Sequence, residues 1–317
     1  MTRLTRVELR RFYSRRLTKF ACLGVLVILA FTLFGAQQQT SDSVPSRVQE
    51  RTQQQLQQCE SAQTDARRHD PAADFHCAET TAQILRQQDV SFLTLTRDLS
   101  QSLALLFAFV GFLIGATFLA AEFASGAIGN WLTFEPRRQR VYFSKMAAAA
   151  LGSVPITAVG LGILAGGAAL FTHRYGIAGS VSAAQRTDLL WLALRVIVIS
   201  AAATVGGAVL GALLRNTAAA LGITVGYGIL VEGIFPALIQ RFVPDPKPWL
   251  VQGSFQAWVN HGLTYQVTSC ADPPNQGRPC QGVEHTISFV HASSYFAVLM
   301  VVLIALGAWV FSRRDVT

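Results

Sequence analysis

The sequence predicts an all-α integral membrane protein: six membrane-spanning helices preceded by an amphipathic helix. Three observations carry this. Of the 317 residues, 51% are hydrophobic and 14% charged, where soluble domains carry roughly a quarter charged residues. The apolar residues gather in uncharged runs at 20–36, 102–121, 146–172, 196–214, 216–231 and, with one histidine, 287–311; crossing a bilayer takes about 20 such residues. The basic residues, which give a net charge of +8, sit beside those runs.

In chain order, residues 1–19 repeat Leu9, Tyr13, Leu17 and Phe20 at helical spacing, with Arg3, Arg10, Arg11, Arg15 and Lys19 elsewhere. This is the pattern of an interfacial helix whose arginines meet anionic lipid; a frayed basic tail is the alternative. Span one is 20–36, and its basic lead and the small pair Gly35–Ala36 also allow a cleaved signal peptide. Residues 37–100 are polar and Gln-rich. Pro45 begins a helix toward His69, the Asp70-Pro71 pair breaks it, and 76–88 forms a second helix of a hairpin. Span two is 101–122, a connecting segment is 123–145, span three is 146–172 and span four 189–214. Span five, 216–240, includes Glu232. In 241–290, Pro244, Pro246 and Pro248 break helix, and 249–259 dips into the interface between Trp249 and Trp258. Span six is 291–312.

With alternate crossings, the N-terminal arginines, Arg137, Arg138, Arg140, Lys145, Arg215, Arg313 and Arg314 fall on one side. The positive-inside rule makes that side, and both termini, cytoplasmic, so a plasma-membrane protein is expected. Topology thus explains the basic charge and leaves nucleic acid out. Cys59 and Cys77 fall in one outer segment, Cys270 and Cys280 in the other. Two local pairs outside suggest disulfides. Metal binding with His69, His76, His261 or His285 is the alternative, but no tight spacing supports it. Gly111/Gly115, Gly162/Gly166, Gly207/Gly211 and Gly222/Gly226 are small-residue pairs that let helices approach closely in lipid.

The chain has no phosphate-binding loop of the Gly-x-x-x-x-Gly-Lys-Ser/Thr type, no nucleophile–base constellation and no intramembrane metalloprotease pattern. It is therefore not expected to be an enzyme or to hold a cofactor. Arg195 and Glu232 lie at similar depth if spans four and five are antiparallel, which predicts an ion pair; both snorkelling outward is the alternative.

The most informative stretch is 121–146. Span two ends at Glu122, Gly126 loosens the chain, Trp131, Leu132 and Phe134 form an apolar knob, Pro136 breaks helix, and Arg137, Arg138 and Lys145 follow. An apolar knob ringed by charge reads as a protein-docking element, or else as an interfacial helix. This stretch resembles the signature of type-2 ABC transporter permeases, and 211–232, with Arg215 in a tight turn, resembles that family's junction of spans four and five. The resemblance implies a type-2 exporter-like fold with an N-terminal elbow helix, and a permease that pairs with a second permease, as homodimer or heterodimer. It further implies a separate ATPase subunit carrying ATP and Mg, docked on a coupling helix within 124–136. Export is favoured, of no identified substrate. Glu122 would orient Arg137, Arg138 or the coupling segment; a solvated helix-end carboxylate is the alternative. The long segment 37–100 departs from the family's simplest members and resembles an insertion in actinobacterial-type relatives. Two competing readings are a secondary transporter, and a receptor or structural membrane protein that binds through 37–100.

Overall fold

The computed structural model describes residues 2–42, 45–68, 74–77, 79, 91–129, 137–175, 181–239, 245–269 and 281–313. Among the described residues six helices are long and apolar enough to cross a membrane, so the chain is a multi-pass membrane protein. Helix α1 (Thr2–Ser14) leads to the first span, α2 (Arg16–Asp42), and α3 (Pro45–Arg67) follows it. Spans two to four are α4 (Phe92–Ala124), α5 (Arg138–Arg174) and α6 (Ala183–Leu214). Span five is composite: α7 (Thr217–Tyr227), a π turn (Gly228–Ile234) and α8 (Phe235–Ile239). A 3₁₀ turn (Lys247–Trp249), α9 (Val251–Asn260) and a hairpin of β1 (Leu263–Ser269) and β2 (Gln281–Ile287) precede span six, α10 (Phe289–Arg313).

The spans outrun their apolar runs. Span one was expected at 20–36 and span two at 101–122, yet α2 and α4 extend several turns beyond. A hydropathy reading stops at the first charge, whereas a helix satisfies its backbone internally and continues into polar surroundings. The expected helix from Pro45 is present as α3, and the Cys59–Cys77 disulfide joins it to the segment that follows, with Cα atoms 5.7 Å apart. Most of the expected second helix, 76–88, lies outside the described residues. The segment 241–290 departs from the all-helical expectation, because β1 and β2 pair antiparallel from Leu263↔Ile287 to Ser269↔Gln281.

The chain forms two compact units. One comprises Met1–Val25, Gln101–Val159 and Trp191–Thr317; the other comprises Leu26–Ser100 and Gly160–Leu190. In the second unit Ala36, Leu95 and Ala168 form a small core with Phe92 and Leu99, and Leu33 fills the space beside Gly167. In the first, Phe12, Phe118, Tyr142, Met146, Val205, Val209 and Phe311 belong to the main core.

Within the first unit, spans two and four pack backbone to backbone. A Cβ on Gly115 would collide with the Thr204 carbonyl, one on Gly207 with the Phe112 carbonyl, and one on Gly211 with that of Ala116. Ser200 adds polar glue to the same seam: its hydroxyl donates to the Phe107 carbonyl at 3.0 Å and shares a 3.0 Å hydrogen bond with Thr157 of span three. Two of the four glycine pairs therefore hold the bundle. Gly162/Gly166 and Gly222/Gly226 have nothing within 4 Å of an added Cβ. At the turn between spans four and five, Arg215 takes φ 52° and lies over the Phe123 ring, 5.1 Å from its centroid. The Asn216 side chain then caps α7, accepting from Ala218 N at 2.8 Å and Ala219 N at 3.3 Å.

This packing separates the glycines by experiment. Gly115→Leu or Gly207→Leu should destabilise the isolated chain by about 1–3 kcal/mol or more through overpacking, seen as a lowered melting midpoint in detergent. Gly222→Leu and Gly226→Leu should leave that midpoint unchanged. Equal sensitivity at all four sites would contradict the seam.

Candidate functional site

The residues bracketing the connecting segment converge in one buried charge cluster. Glu122 lies near the end of α4 and Lys145 two turns into α5. The Lys145 ammonium donates to Glu122 Oε2, and at 3.0 Å to Glu8 Oε1 of α1. Lys145 and Glu8 have no exposed side-chain surface, and Glu122 has 5%. Arg15, at the junction of α1 and α2, completes the set. Its Nη2 donates to Glu122 Oε1 at 2.7 Å and its Nη1 to the Thr117 carbonyl at 3.1 Å. The Phe118 ring forms one wall, 4.8 Å from the Arg15 guanidinium and 5.6 Å from Lys145 Nζ. Two carboxylates meet an ammonium and a guanidinium, so the formal charges cancel. Glu8 Oε2 is buried with no hydrogen-bond partner among the described residues.

Helix α1 reaches this site with the face that carries Glu8, Phe12 and Arg15. Glu8 and Phe12 are fully buried, with Arg15 next on the same face. Phe12 packs edge-on against Phe118, fills the space beside Gly152, and is flanked by Tyr13, whose hydroxyl donates to the Gly152 carbonyl at 2.7 Å. The apolar stripe lies away from the cluster: Tyr13 is 36%, Leu17 46% and Phe20 69% exposed. In a membrane chain this is physically consistent, because lipid solvates an apolar stripe while a carboxylate needs a partner.

Burying such a cluster has a steep consequence. Each ion loses hydration, and the mutual contacts offset that loss only while all partners stay in place. The cluster is therefore intolerant of single deletions, and it makes α1, the end of span two and the start of span three one mechanical piece. Arg215 over Phe123, and Phe123 against Phe311 at 6.1 Å, bring the span four–five turn and the end of span six to the same end of this unit.

The expected residues divide as follows. Glu122 is neither solvated nor aimed at Arg137 or Arg138, since Arg15 and Lys145 take its oxygens. Lys145, expected as the last ATPase-coupling residue of the segment 123–145, is the centre of the site. Gly126 follows α4 at φ +67°, a conformation suited to glycine. The exposed Arg137 offers its carbonyl to the N–H of Arg140 at the start of α5. Trp131, Leu132, Phe134 and Pro136 lie outside the described residues, as do Cys270 and Cys280. Sequence reasoning missed Glu8 and the role of Arg15. The available signal was that Glu8 is the one acid among residues 1–19, aligned with Phe12 and Arg15 at steps of four and three.

The expected Arg195–Glu232 pair is corrected. Glu232 sits in the π turn, where Oε1 accepts from the Tyr227 hydroxyl at 2.9 Å and from Val251 N at 2.7 Å, and Oε2 accepts from Gln252 N at 3.2 Å. It thus caps α9, whose own cap position, Leu250, has no side-chain oxygen to offer. Arg195 Nε donates to the Trp191 carbonyl at 3.2 Å, and the Arg195 carbonyl accepts from Trp258 Nε1 at 2.9 Å. The two residues anchor α9 at opposite ends instead of neutralising each other. In the adjoining hairpin, Asp245 accepts from the Tyr265 hydroxyl and lies 3.2 Å from His285 Nδ1. Burial, and then the Asp245 carboxylate, push that hydroxyl above its ordinary range.

The cluster predicts an asymmetric mutational response. Lys145→Met alone should cost about 3–5 kcal/mol, as expected when a buried pair loses one partner, and should sharply lower the detergent melting midpoint. The double replacement Glu8→Gln and Lys145→Met, which leaves Arg15 paired with Glu122, should recover most of that loss. A Lys145→Met protein that melts like the wild type would show that the cluster does not tie these helices.

Compared with known protein families, the chain matches no family model, and no curated protein matches it.

Proposed function

We propose that this chain is the permease subunit of an ABC transporter, working as an exporter in the plasma membrane with both termini in the cytoplasm. Residues 124–136 are its coupling helix, and ATP and Mg belong to a separate ATPase subunit. The observation that carries the reading is the buried Lys145 ammonium, which joins Glu122 before the coupling segment to the start of span three after it, and both to Glu8 of α1. A force applied to a short segment moves spans only if the segment's two roots cannot yield separately. The cluster supplies that rigidity at the positions the permease resemblance requires.

In this mechanism ATP binding closes the partner subunits, shifts the coupling helix and rotates α1, span two and span three together. The motion biases the bundle between inward- and outward-open states, each favoured by its own contacts with the motor. The two outward-facing groups of span five, Gly222/Gly226 and the exposed side chains Ile223, Ile229 and Leu230, leave room for lipid or for a second permease, either the same chain or a homologue.

One observation favours a second reading. A π turn carrying a carboxylate inside a span is the kind of interrupted helix seen at coupling-ion sites of secondary transporters. Co-purification separates the two. Expressed at native level with its genomic neighbours, the tagged chain should retain an ATPase subunit, and the complex should hydrolyse ATP. Reversing Arg137, Arg138 and Arg140 to Glu should release that subunit without changing the melting of the spans. Active transport by the chain alone under an ion gradient would overturn the permease reading.

A further inference from the structure

We propose that spans five and six carry a binding site for a lipophilic cation: an ammonium- or phosphonium-type head beside Glu232, Tyr227 and Tyr295, and an apolar body along Val298, Leu299 and Val302. This deepens the exporter reading by naming a cargo class and rests on it for purpose; binding itself is a property of this chain.

The argument starts from charge. At the opposite end of the unit, Glu8 and Glu122 each face the Lys145 ammonium. Glu232 differs: Tyr227, Val251 and Gln252 satisfy its oxygens with neutral donors, and no Lys, Arg or His ion-pairs with it among the described residues. The N-terminus of α9 supplies a partial positive charge of about half a unit, which leaves a net negative charge within span five. In a low-dielectric surrounding that residual charge favours a cation and repels an anion.

The surroundings suit a cation with an apolar body. Tyr295 lies within electrostatic range of Glu232 and Tyr227, and its hydroxyl donates to the Trp249 carbonyl at 3.4 Å. Tyrosine rings attract cations through their faces. Tyr295 also heads an open apolar groove of about 390 Å³ on span six, continued by Val298, Leu299 and Val302. His291, at the rim, is held by the Pro248 carbonyl 3.0 Å from Nε2. A neutral amphiphile would gain the groove but not the head contact, and an anionic one would meet Glu232.

The competing explanation is that Glu232 serves only as the cap of α9, and the charge separates the two. Glutamine keeps one accepting oxygen, enough for Val251 N, gives up the acceptor for Gln252 N, and carries no charge. The test uses the purified chain in zwitterionic nanodiscs, with tetraphenylphosphonium measured by equilibrium dialysis and tetraphenylborate, of the same shape and opposite charge, as control. Saturable binding of the phosphonium alone is expected. Glu232→Gln should weaken it at least tenfold with melting lowered only slightly, by the one cap bond it loses, and Val298→Trp, at a position 63% exposed, should weaken it by crowding the groove with melting unchanged. Wild-type affinity in Glu232→Gln, or equal binding of tetraphenylborate, would overturn the proposal. Should Glu232→Gln fail to fold, Val298→Trp together with the tetraphenylborate control decides. A chain that binds the cation but retains no ATPase keeps the site and loses the exporter reading; a chain that retains the ATPase but binds no cation loses this site alone.

Discussion

A single ammonium held between two carboxylates inside an apolar bundle is the constraint on which the rest of this unit depends. Lys145 has no exposed surface, so its charge is tolerable only while Glu8 and Glu122 stay within hydrogen-bond reach. Neither acid lies near Lys145 in sequence: Glu8 is 137 residues away and Glu122 is 23. Meeting those contacts fixes the depth and rotation of α1 against spans two and three. Arg15 then closes the network from the junction where α1 becomes span one. The core around Phe12, Phe118 and Tyr142 follows from that placement.

The two ends of the unit solve the same electrostatic problem in opposite ways. At the Lys145 end, carboxylates meet side-chain cations, and the result is a rigid joint. At the other end Glu232 meets backbone N–H groups and a tyrosine, which ties α9 to span five through a helix terminus. A π turn supplies the geometry by advancing the helix less per turn than an α-helix would around Glu232. Helix α9 and the 3₁₀ turn then rest on spans four and six, through Trp258 on the Arg195 carbonyl and His291 on the Pro248 carbonyl.

Much of this was legible in the sequence, and the omissions have physical causes. Spans were readable because lipid accepts only long apolar helices with satisfied backbones, as the runs at 102–121 and 196–214 declare. The tight turn at Arg215 and the Cys59–Cys77 disulfide were readable from spacing. Helix α1 was legible as amphipathic, but its inward face was not, because the partner that buries Glu8 is Lys145, 137 residues further along. Glu232 was misassigned because depth along antiparallel spans was treated as proximity, while the α9 terminus that claims the carboxylate is 19 residues further along. The hairpin was missed although Leu263, Tyr265 and Val267 alternate with polar neighbours, a period-two signal, because so short an alternation is weak beside the helix-breaking prolines that precede it. Which glycine pairs pack was not legible at all, since the motif is the same at Gly115 and at Gly226 and only the neighbour differs.

The central claim is that the segment between spans two and three faces the compartment that holds ATP. Its most direct test is side-specific labelling. Arg137→Cys, with Cys22 replaced by Ser, is placed in intact cells and treated with a membrane-impermeant maleimide, against the same background without the new cysteine. The account requires no added labelling until the membrane is opened, then full labelling at position 137. Labelling of that position in sealed cells would place the segment outside and contradict the orientation, the docking of a motor and the coupling role of the Lys145 cluster together.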